Sequence, residues 1–386
     1  MDLNTILEHA TRAGASDIHL KAGLPPILRV RGRLSSLKDA PRLTAEGIGR
    51  MAITMMNPFH KERFKDRLDV DLAYTVEGVA RFRANVFQQR GIISVALRVI
   101  PSTMNSFEEL LLPKVLERIA LEERGLVLVT GTTGSGKTTT LATMLQHINL
   151  HRSAHIVTIE DPIEFLLRDH HCIINQREIG ADTKDFTTGL RAALRQDPDV
   201  ILIGEMRDRE TIDTALLAAE TGHLVFSTLH TLNAPEAINR IVSVFEQQYR
   251  DHVRRQLASV LKAVISQRLV PRKDKQGRVP ALEVMRTTAR IRELILDADR
   301  TREIGEAIAG GTISYGMQTF DQSLMFLLKN DYILFEEALR QCDNPDDFAL
   351  RVSGVQAAGS EHWAGFEDRD ASPGGEPESS FAIERF

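Results

Sequence analysis

A glycine-rich octapeptide near the middle of the chain carries the residues with the clearest chemistry. It fits the pattern G-x-x-x-x-G-K-[ST] and reads Gly131-Thr132-Thr133-Gly134-Ser135-Gly136-Lys137-Thr138. Glycines at these places allow backbone N–H groups to curl around phosphate oxygens. The lysine supplies a positive charge for the β and γ phosphates, and the final hydroxyl is a ligand for Mg²⁺. Together with Thr139, the segment is predicted to bind ATP, with Thr138 as a ligand to Mg²⁺.

The residues on both sides of this octapeptide decide between a phosphate site and a glycine turn without a ligand. An apolar run at residues 125–130 predicts a strand leading in. Apolar residues at Leu141, Met144, Leu145 and Ile148 predict a helix leading out. A strand, a glycine-rich loop and a helix N-terminus in this order form a phosphate site, so the flanks favour nucleotide binding.

Three carboxylates, Glu160, Asp161 and Glu164, follow the next predicted strand at residues 155–159. Ligands of parallel sheets sit at the carboxyl ends of strands, so this segment is expected beside the phosphates. A carboxylate there can act as the general base that activates water. A solvated loop is the alternative, but the phosphate loop one strand earlier favours the catalytic interpretation.

Two further predicted strands, at residues 200–203 and 224–228, also end in groups that can act on a nucleotide. Glu205 follows the first after Gly204, where P-loop ATPases place the acid of the Mg²⁺ shell. His230 follows the second and can sense the γ phosphate across the site. A surface glutamate and a structural histidine are the respective alternatives.

The rest of the pattern indicates an α/β protein of two domains. Residues 1–100 predict a small α/β domain that begins with a helix at residues 3–12. Alternation at residues 80–86 places Arg81 and Arg83 on one strand face, opposite the apolar face. A solvated strand face is the simpler interpretation of those arginines. Residues 101–111 are predicted to be a linker, 112–355 an α/β core with an α-helical appendage at 249–349, and 356–386 a disordered acidic tail.

Composition narrows the class of protein. The chain of 386 residues has a net charge of -5 and two cysteines. Its N-terminus has no signal-peptide pattern, and no apolar run approaches the roughly 18 residues that span a bilayer. A cytoplasmic protein without membrane insertion, nucleic-acid partner or structural zinc is therefore expected. The basic segment 268–278 is predicted to be a solvated loop; a nucleic-acid patch is the alternative.

These motifs resemble those of the secretion ATPase superfamily, and most closely the retraction ATPases of bacterial type IV pili, over residues 1–350. The segments that carry the resemblance are Ala15-Ser16-Asp17-Ile18-His19-Leu20, Thr158-Ile159-Glu160-Asp161-Pro162-Ile163-Glu164-Phe165, residues 194–208, and residues 221–231. One short motif of retraction ATPases, A-I-R-N-L, differs here and reads Arg290-Ile291-Arg292-Glu293-Leu294. The end of the chain is also similar to accessory, PilU-like retraction motors.

The resemblance implies a PAS-like N-terminal domain, a RecA-like P-loop ATPase domain with C-terminal helices, and assembly into a homohexamer. It implies that Glu164 activates water, Glu205 organises Mg²⁺, and His230 reads the nucleotide state. Arg81 and Arg83, with Arg98 as a further candidate, would then project from the N-terminal domain onto the γ phosphate. The implied partners are an inner-membrane pilus platform protein, which the ring would turn to retract the pilus, and a paralogous retraction ATPase. A nucleic-acid translocase and a regulatory nucleotide-binding protein with little turnover are the competing classes.

Overall fold

The computed structural model describes residues 1–30, 32–100 and 104–353. The N-terminal part forms a six-stranded sheet of strand order β3-β2-β1-β6-β5-β4, in which each neighbouring pair is antiparallel. Its elements are α1 (Leu3–Arg12), β1 (Ala15–Leu20), β2 (Ile27–Val30), β3 (Arg33–Ser36), α2 (Ala45–Met55), α3 (Pro58–Arg67), β4 (Asp69–Val76), β5 (Ala80–Gln89) and β6 (Ile92–Ile100).

Strand β5 follows the alternation predicted from the sequence. Phe82, Ala84 and Val86 are buried in the N-terminal core. Arg81 and Arg83 lie on the other face, because successive side chains of a strand point to opposite sides. This arrangement turns both guanidinium groups away from the core of their own sheet.

The C-terminal part is built on a seven-stranded sheet of order β13-β12-β7-β11-β10-β8-β9. Neighbours from β12 to β9 are parallel, and only β13 runs antiparallel to its neighbour. The elements up to β11 are α4 (Val115–Ala120), β7 (Gly125–Thr130), α5 (Lys137–His151), β8 (His155–Glu160), β9 (Ile173–Glu178), α6 (Phe186–Ala193), β10 (Val200–Ile203), α7 (Arg209–Glu220) and β11 (Leu224–Leu229).

The remaining elements are α8 (Ala234–Ser243), α9 (Arg250–Val260), β12 (Leu261–Pro271), β13 (Arg278–Arg286), α10 (Ala289–Leu296), α11 (Ile304–Gly310), α12 (Thr312–Tyr315), α13 (Phe320–Lys329), α14 (Phe335–Gln341) and α15 (Pro345–Val352). Short 3₁₀ turns occupy Gln247–Tyr249 and Ala298–Glu303. Within the described residues, no helix is both long enough and apolar enough to cross a bilayer.

The four strands predicted for the core occupy the middle of this sheet. In β7, Leu126 and Leu128 pack into the hydrophobic cluster on one face of the sheet, and Val127 and Val129 into the cluster on the other. Burial on both faces explains why each of these strands is an unbroken apolar run. Each such side chain contributes about 1.5–3 kcal/mol relative to an exposed one.

One expectation for residues 249–349 is wrong. The segment is not wholly helical, because β12 and β13 form a hairpin that joins the parallel sheet next to β7. The basic segment 268–278 runs from the end of β12 to the first residue of β13, and residues 273–277 within it form an exposed turn, as predicted for a solvated loop. Arg268 lies 3.8 Å over the ring of Phe320 and donates to Asp343 at 2.8 Å. The proposed boundaries at 100, 111 and 355 stay predictions, and the acidic tail lies outside the described residues.

Glu283, in the middle of β13, is a buried acidic residue that is expected to make the stability of the fold depend on pH. Its buried carboxylate accepts from the Ala234 amide at 2.7 Å and from the Ser266 hydroxyl at 3.1 Å. Burial raises the pKa of Glu283 from 4.5 to about 7. A folded chain therefore binds more protons at this group than an unfolded chain between these two pH values, and its stability falls as pH rises through them.

Glu283→Gln is expected to remove this pH dependence. Between pH 5 and pH 8 the free energy of unfolding of the wild type should fall by about 2–3 kcal/mol relative to that of the variant. Urea denaturation of both proteins at the two pH values measures the difference. An equal difference at pH 5 and pH 8 would show that Glu283 keeps an ordinary pKa in the folded chain.

Candidate active site

The phosphate loop joins β7 to α5, as the flanking residues predicted. Gly131, Gly134 and Gly136 have φ values of 141°, 79° and 91°, which residues with a side chain rarely adopt. The Nζ of Lys137 donates to the carbonyl oxygens of Gly131 at 2.8 Å and Thr132 at 3.0 Å. The ammonium group thus lies within the curve of the loop, beside the N-terminus of α5. That position suits a group that neutralises phosphate charge.

Gln267 of β12 holds the phosphate loop through two hydrogen bonds, and it was not among the predicted site residues. Its Nε2 donates to the Ser135 carbonyl at 2.7 Å, and its Oε1 accepts from the Thr140 hydroxyl at 2.7 Å. A Cβ at Gly131 would lie 2.4 Å from the Gln267 carbonyl oxygen, and one at Gly136 would lie 2.6 Å from Nε2. The loop glycines therefore allow close contact with β12 as well as room for phosphate. Had β12 been predicted as a buried strand of this sheet, Gln267 would have been expected near the phosphate loop.

Gln267→Ala is expected to raise the KM for ATP roughly tenfold, because it leaves the Ser135 carbonyl and the Thr140 hydroxyl without their buried partner at a cost of about 1–3 kcal/mol. Steady-state ATP hydrolysis over a range of ATP concentrations measures the change. Gln248→Ala is the control, since Gln248 is exposed and donates to Glu246. An unchanged KM in Gln267→Ala would show that β12 does not order the loop.

The carboxylates after β8 differ in environment. Glu160 is buried, and its Oε1 accepts from the Thr158 hydroxyl at 2.6 Å and from Gln176 Nε2 at 3.1 Å. Burial raises the pKa of Glu160, and this effect exceeds that of the two hydrogen bonds, which lower the pKa. Glu164 is partly exposed, with 39% of its side chain accessible. Among the carboxylates after β8, Glu164 combines access to water with an electrostatic interaction with Lys137, whose charged form it helps to stabilise.

Glu205 and His230 meet at the carboxyl ends of β10 and β11. The Nε2 of His230 lies 3.0 Å from Glu205 Oε1, and Arg207 Nε lies 2.7 Å from the same oxygen. Burial alone would raise the pKa of Glu205, but the hydrogen bond from Arg207 and the charges of His230 and Arg207 hold it below its ordinary value. A carboxylate that stays ionised suits a role in the Mg²⁺ shell. Arg207 was not among the predicted site residues.

Lys137 connects these groups electrostatically. Burial lowers the pKa of its ammonium, whereas the negative charges of Glu205 and Glu164 raise it and so partly offset the effect of burial. Both carboxylates therefore act on the same lysine at the phosphate loop. The predicted loop, base and acidic residue come together at one edge of the sheet.

Thr138 and Glu205 offer oxygen donors of the kind that Mg²⁺ prefers. Mg²⁺ is usually held by one or two protein ligands together with water and phosphate oxygens. Within the described residues, no three histidine, cysteine or acidic side chains form a ready-made metal site. The hydroxyl of Thr138 at the start of α5 and the ionised Glu205 are therefore suitable protein ligands for a Mg²⁺ ion that is also bound by the nucleotide.

Arg81 and Arg83 reach the edge of the C-terminal sheet from β5. Nη2 of Arg81 donates to Glu178 at the end of β9, and Nη1 of Arg83 lies 3.5 Å from Glu164 Oε1. Both contacts are made within a single chain. Arg98, the cross-strand neighbour of Arg83 on β6, instead donates to Asp17 at 3.0 Å. Two of the three N-terminal arginines that the resemblance singled out therefore contact the ATPase part.

Residues 1–311 match the family described as type II/IV secretion system protein. The chain belongs to that family. It is 45% identical over 348 residues to the type IV pilus retraction ATPase PilT of Pseudomonas aeruginosa, covering 90% of this chain and 100% of the relative. It is 38% identical over 362 residues to the type IV pilus ATPase PilU of the same organism, covering 94% of each chain.

A solved structure of the pilus retraction motor PilT with bound ADP superimposes on this chain with a TM-score of 0.82. The identity is 45%, and the match covers 90% of this chain and 98% of the other. These relationships confirm the fold class, an N-terminal α/β domain followed by a RecA-like ATPase domain, and they establish that this member of the family is an ATPase. The roles of the individual site residues stay predictions.

Proposed function

We propose that this ATPase forms a ring of six subunits that powers the retraction of type IV pili. The observation that carries the proposal is the contact between Arg83 of the N-terminal domain and Glu164 beside the phosphate loop. Through it, a movement of the N-terminal domain would change the hydrolytic centre. The similarity to PilT over that protein's whole length supports the same function.

The proposed chemistry follows from the positions of the side chains. Lys137 and the loop N–H groups bind the β and γ phosphates. Glu164 takes a proton from the water whose oxygen attacks the γ phosphorus, while the bond from that phosphorus to the bridging oxygen of ADP breaks. Thr138 and Glu205 would hold Mg²⁺, which neutralises charge on the β and γ phosphates. His230, through Glu205, would report whether the γ phosphate is present.

Mechanical work would come from movement of the two domains relative to each other. Loss of the γ phosphate removes the charge that draws Arg81 and Arg83 towards the site. Residues 101–106, of which 101–103 lie outside the described residues, are the proposed hinge between the domains. Closure that passes around the ring would turn an inner-membrane platform protein from the cytoplasmic side and draw pilin subunits out of the filament.

Deletion of the gene, scored for surface pili and twitching motility, tests this function. Excess surface pili with loss of twitching is the result expected for a retraction motor. Loss of surface pili would instead identify an extension motor. Complementation with the wild-type gene and with Glu303→Gln, a change outside the site, controls for expression.

An accessory retraction motor is the second candidate function. The alignment with PilU over 94% of both chains supports it. In that case deletion would weaken retraction only in a strain whose principal motor is impaired. A nucleic-acid translocase is the remaining alternative. Strong stimulation of ATP turnover by DNA that disappears as salt is raised would favour it over the pilus motor.

A further inference from the structure

The end of β9 and the turn after it, residues 178–183, are in contact with two side chains of the N-terminal domain. Glu178 is buried, with 4% of its surface exposed, and its Oε2 accepts from Arg81 Nη2. Gly180 has a φ of 84°, and a Cβ there would lie 2.6 Å from Cε1 of Phe59. Arg81 lies on β5 and Phe59 on α3, so two separate N-terminal elements contact the same short turn.

The same carboxylate also binds the segment that carries Glu164. Glu178 Oε2 accepts from the backbone N–H of Ile163 at 3.2 Å. One oxygen thus joins the guanidinium of Arg81 to the residue directly before Glu164. A charged acceptor holds both donors more strongly than a neutral one would, since charge-assisted hydrogen bonds are roughly twice as strong.

The turn is itself held to the strand that ends beside the site. The Ile179 amide donates to the Glu160 carbonyl at 2.9 Å, and the Glu178 amide donates to Asp182 Oδ2 at 2.8 Å. The Gly180 amide donates to the Thr183 carbonyl at 2.7 Å. Because these bonds restrain the turn, we expect a displacement of Arg81 to move the 160–164 segment rather than to deform the turn alone.

We propose that Glu178 is a positioning residue for hydrolysis. It fixes the Glu164 segment through Ile163 and, in the same contact, seats Arg81 of the N-terminal domain. Glu178 is assigned no contact with the nucleotide or the attacking water. It determines the position of Glu164 when the N-terminal domain packs against the ATPase domain. The proposal rests on the role given to Glu164 above.

Glu178→Gln is the principal test, because it removes the charge while it keeps the shape and one acceptor oxygen. We expect kcat for ATP hydrolysis to fall about tenfold with KM within about twofold, since the group acts on the geometry of catalysis and not on ground-state binding. Amide hydrogen exchange of the purified protein should become faster in the peptide covering residues 161–167, which contains the Ile163 N–H. A merely structural role would not move kcat and local exchange together without moving KM.

A double-variant cycle separates this coupling from independent damage. Arg81→Ala alone should lower kcat about tenfold, and the loss in the double variant with Glu178→Gln should be smaller than the product of the two single losses, because both changes break the contact between Arg81 and Glu178. Phe59→Ala, which truncates a partly exposed ring, should also lower kcat, by about threefold, without touching Glu178. Glu303→Gln is the matched control, since its carboxylate is bound by Arg290 and Arg300 outside this site.

The proposal is overturned if Glu178→Gln keeps the wild-type kcat and exchange rate, or if the double variant shows the product of the two single effects. The proposed function fails differently. If Glu164→Gln hydrolyses ATP at the wild-type rate, the base assignment is wrong whatever Glu178 does. If Glu164→Gln is inactive and Glu178→Gln is normal, only the positioning role is lost.

Discussion

Glu164→Gln is expected to reduce kcat for ATP hydrolysis by about 10²- to 10⁴-fold, the range that general-base catalysis contributes. Glutamine keeps the size of the side chain but cannot take a proton from the attacking water. Nucleotide binding should persist, because the loop and Lys137 are untouched. Steady-state turnover and the equilibrium binding of ATP to the variant, measured side by side, check both parts of the expectation.

Glu160→Gln is the informative comparison, since it removes a neighbouring carboxylate from the same segment. Glu160 is buried and already accepts hydrogen bonds from Thr158 and Gln176. Its replacement should lower kcat by about tenfold or less, as a change that disturbs packing rather than removes the base. A larger loss in Glu160→Gln than in Glu164→Gln would reverse the assignment.

Lys137→Ala is expected to lower kcat/KM for ATP by roughly 30- to 5000-fold, the equivalent of about 2–5 kcal/mol for removing one partner of a buried charged contact. The negative charges of Glu205 and Glu164 both act on the ammonium of Lys137. Without the lysine, the phosphates lose a positive charge while both carboxylates keep their negative charges. The loss should therefore appear in nucleotide affinity as well as in turnover.

Isothermal titration with ADP and steady-state hydrolysis together measure this effect. Lys273→Ala is the control, because Lys273 lies in the exposed turn of the β12–β13 hairpin and pairs with Asp331. Wild-type ADP affinity in Lys137→Ala would show that the backbone of the loop, without the lysine, supplies the binding energy.

The sequence predicted the central strands of the ATPase sheet because their environment is uniform. β7, β8, β10 and β11 are buried on both faces, and each appears as a short apolar run. β12 and β13 were missed because buried polar residues interrupt their apolar pattern. Gln267 and Glu283 are tolerated there by partners distant in sequence, such as Ser135 and Ala234, which no local pattern shows.

The dependence on local sequence patterns also limited the prediction of the site. The octapeptide, Glu164, Glu205 and His230 could be predicted as site residues because each follows a recognisable strand. Glu178 ends β9, an edge strand whose polar, partly exposed residues give no buried-strand pattern. Arg207 was overlooked since it follows Glu205 in a segment without regular structure. Site residues in irregular segments or edge strands can be recognised only once the folded structure shows what they contact.

The most direct test of the central claim, that the N-terminal domain completes the hydrolytic centre, compares ATP turnover by Arg83→Ala with that by Arg98→Ala. The two arginines are cross-strand neighbours, but Arg83 reaches Glu164 whereas Arg98 binds Asp17 of its own domain. We predict a fall in kcat of about 10²-fold or more for Arg83→Ala, as for other arginines that stabilise phosphoryl transfer, and a rate within about twofold of wild type for Arg98→Ala. Wild-type turnover in Arg83→Ala, or equal losses in both variants, would contradict it.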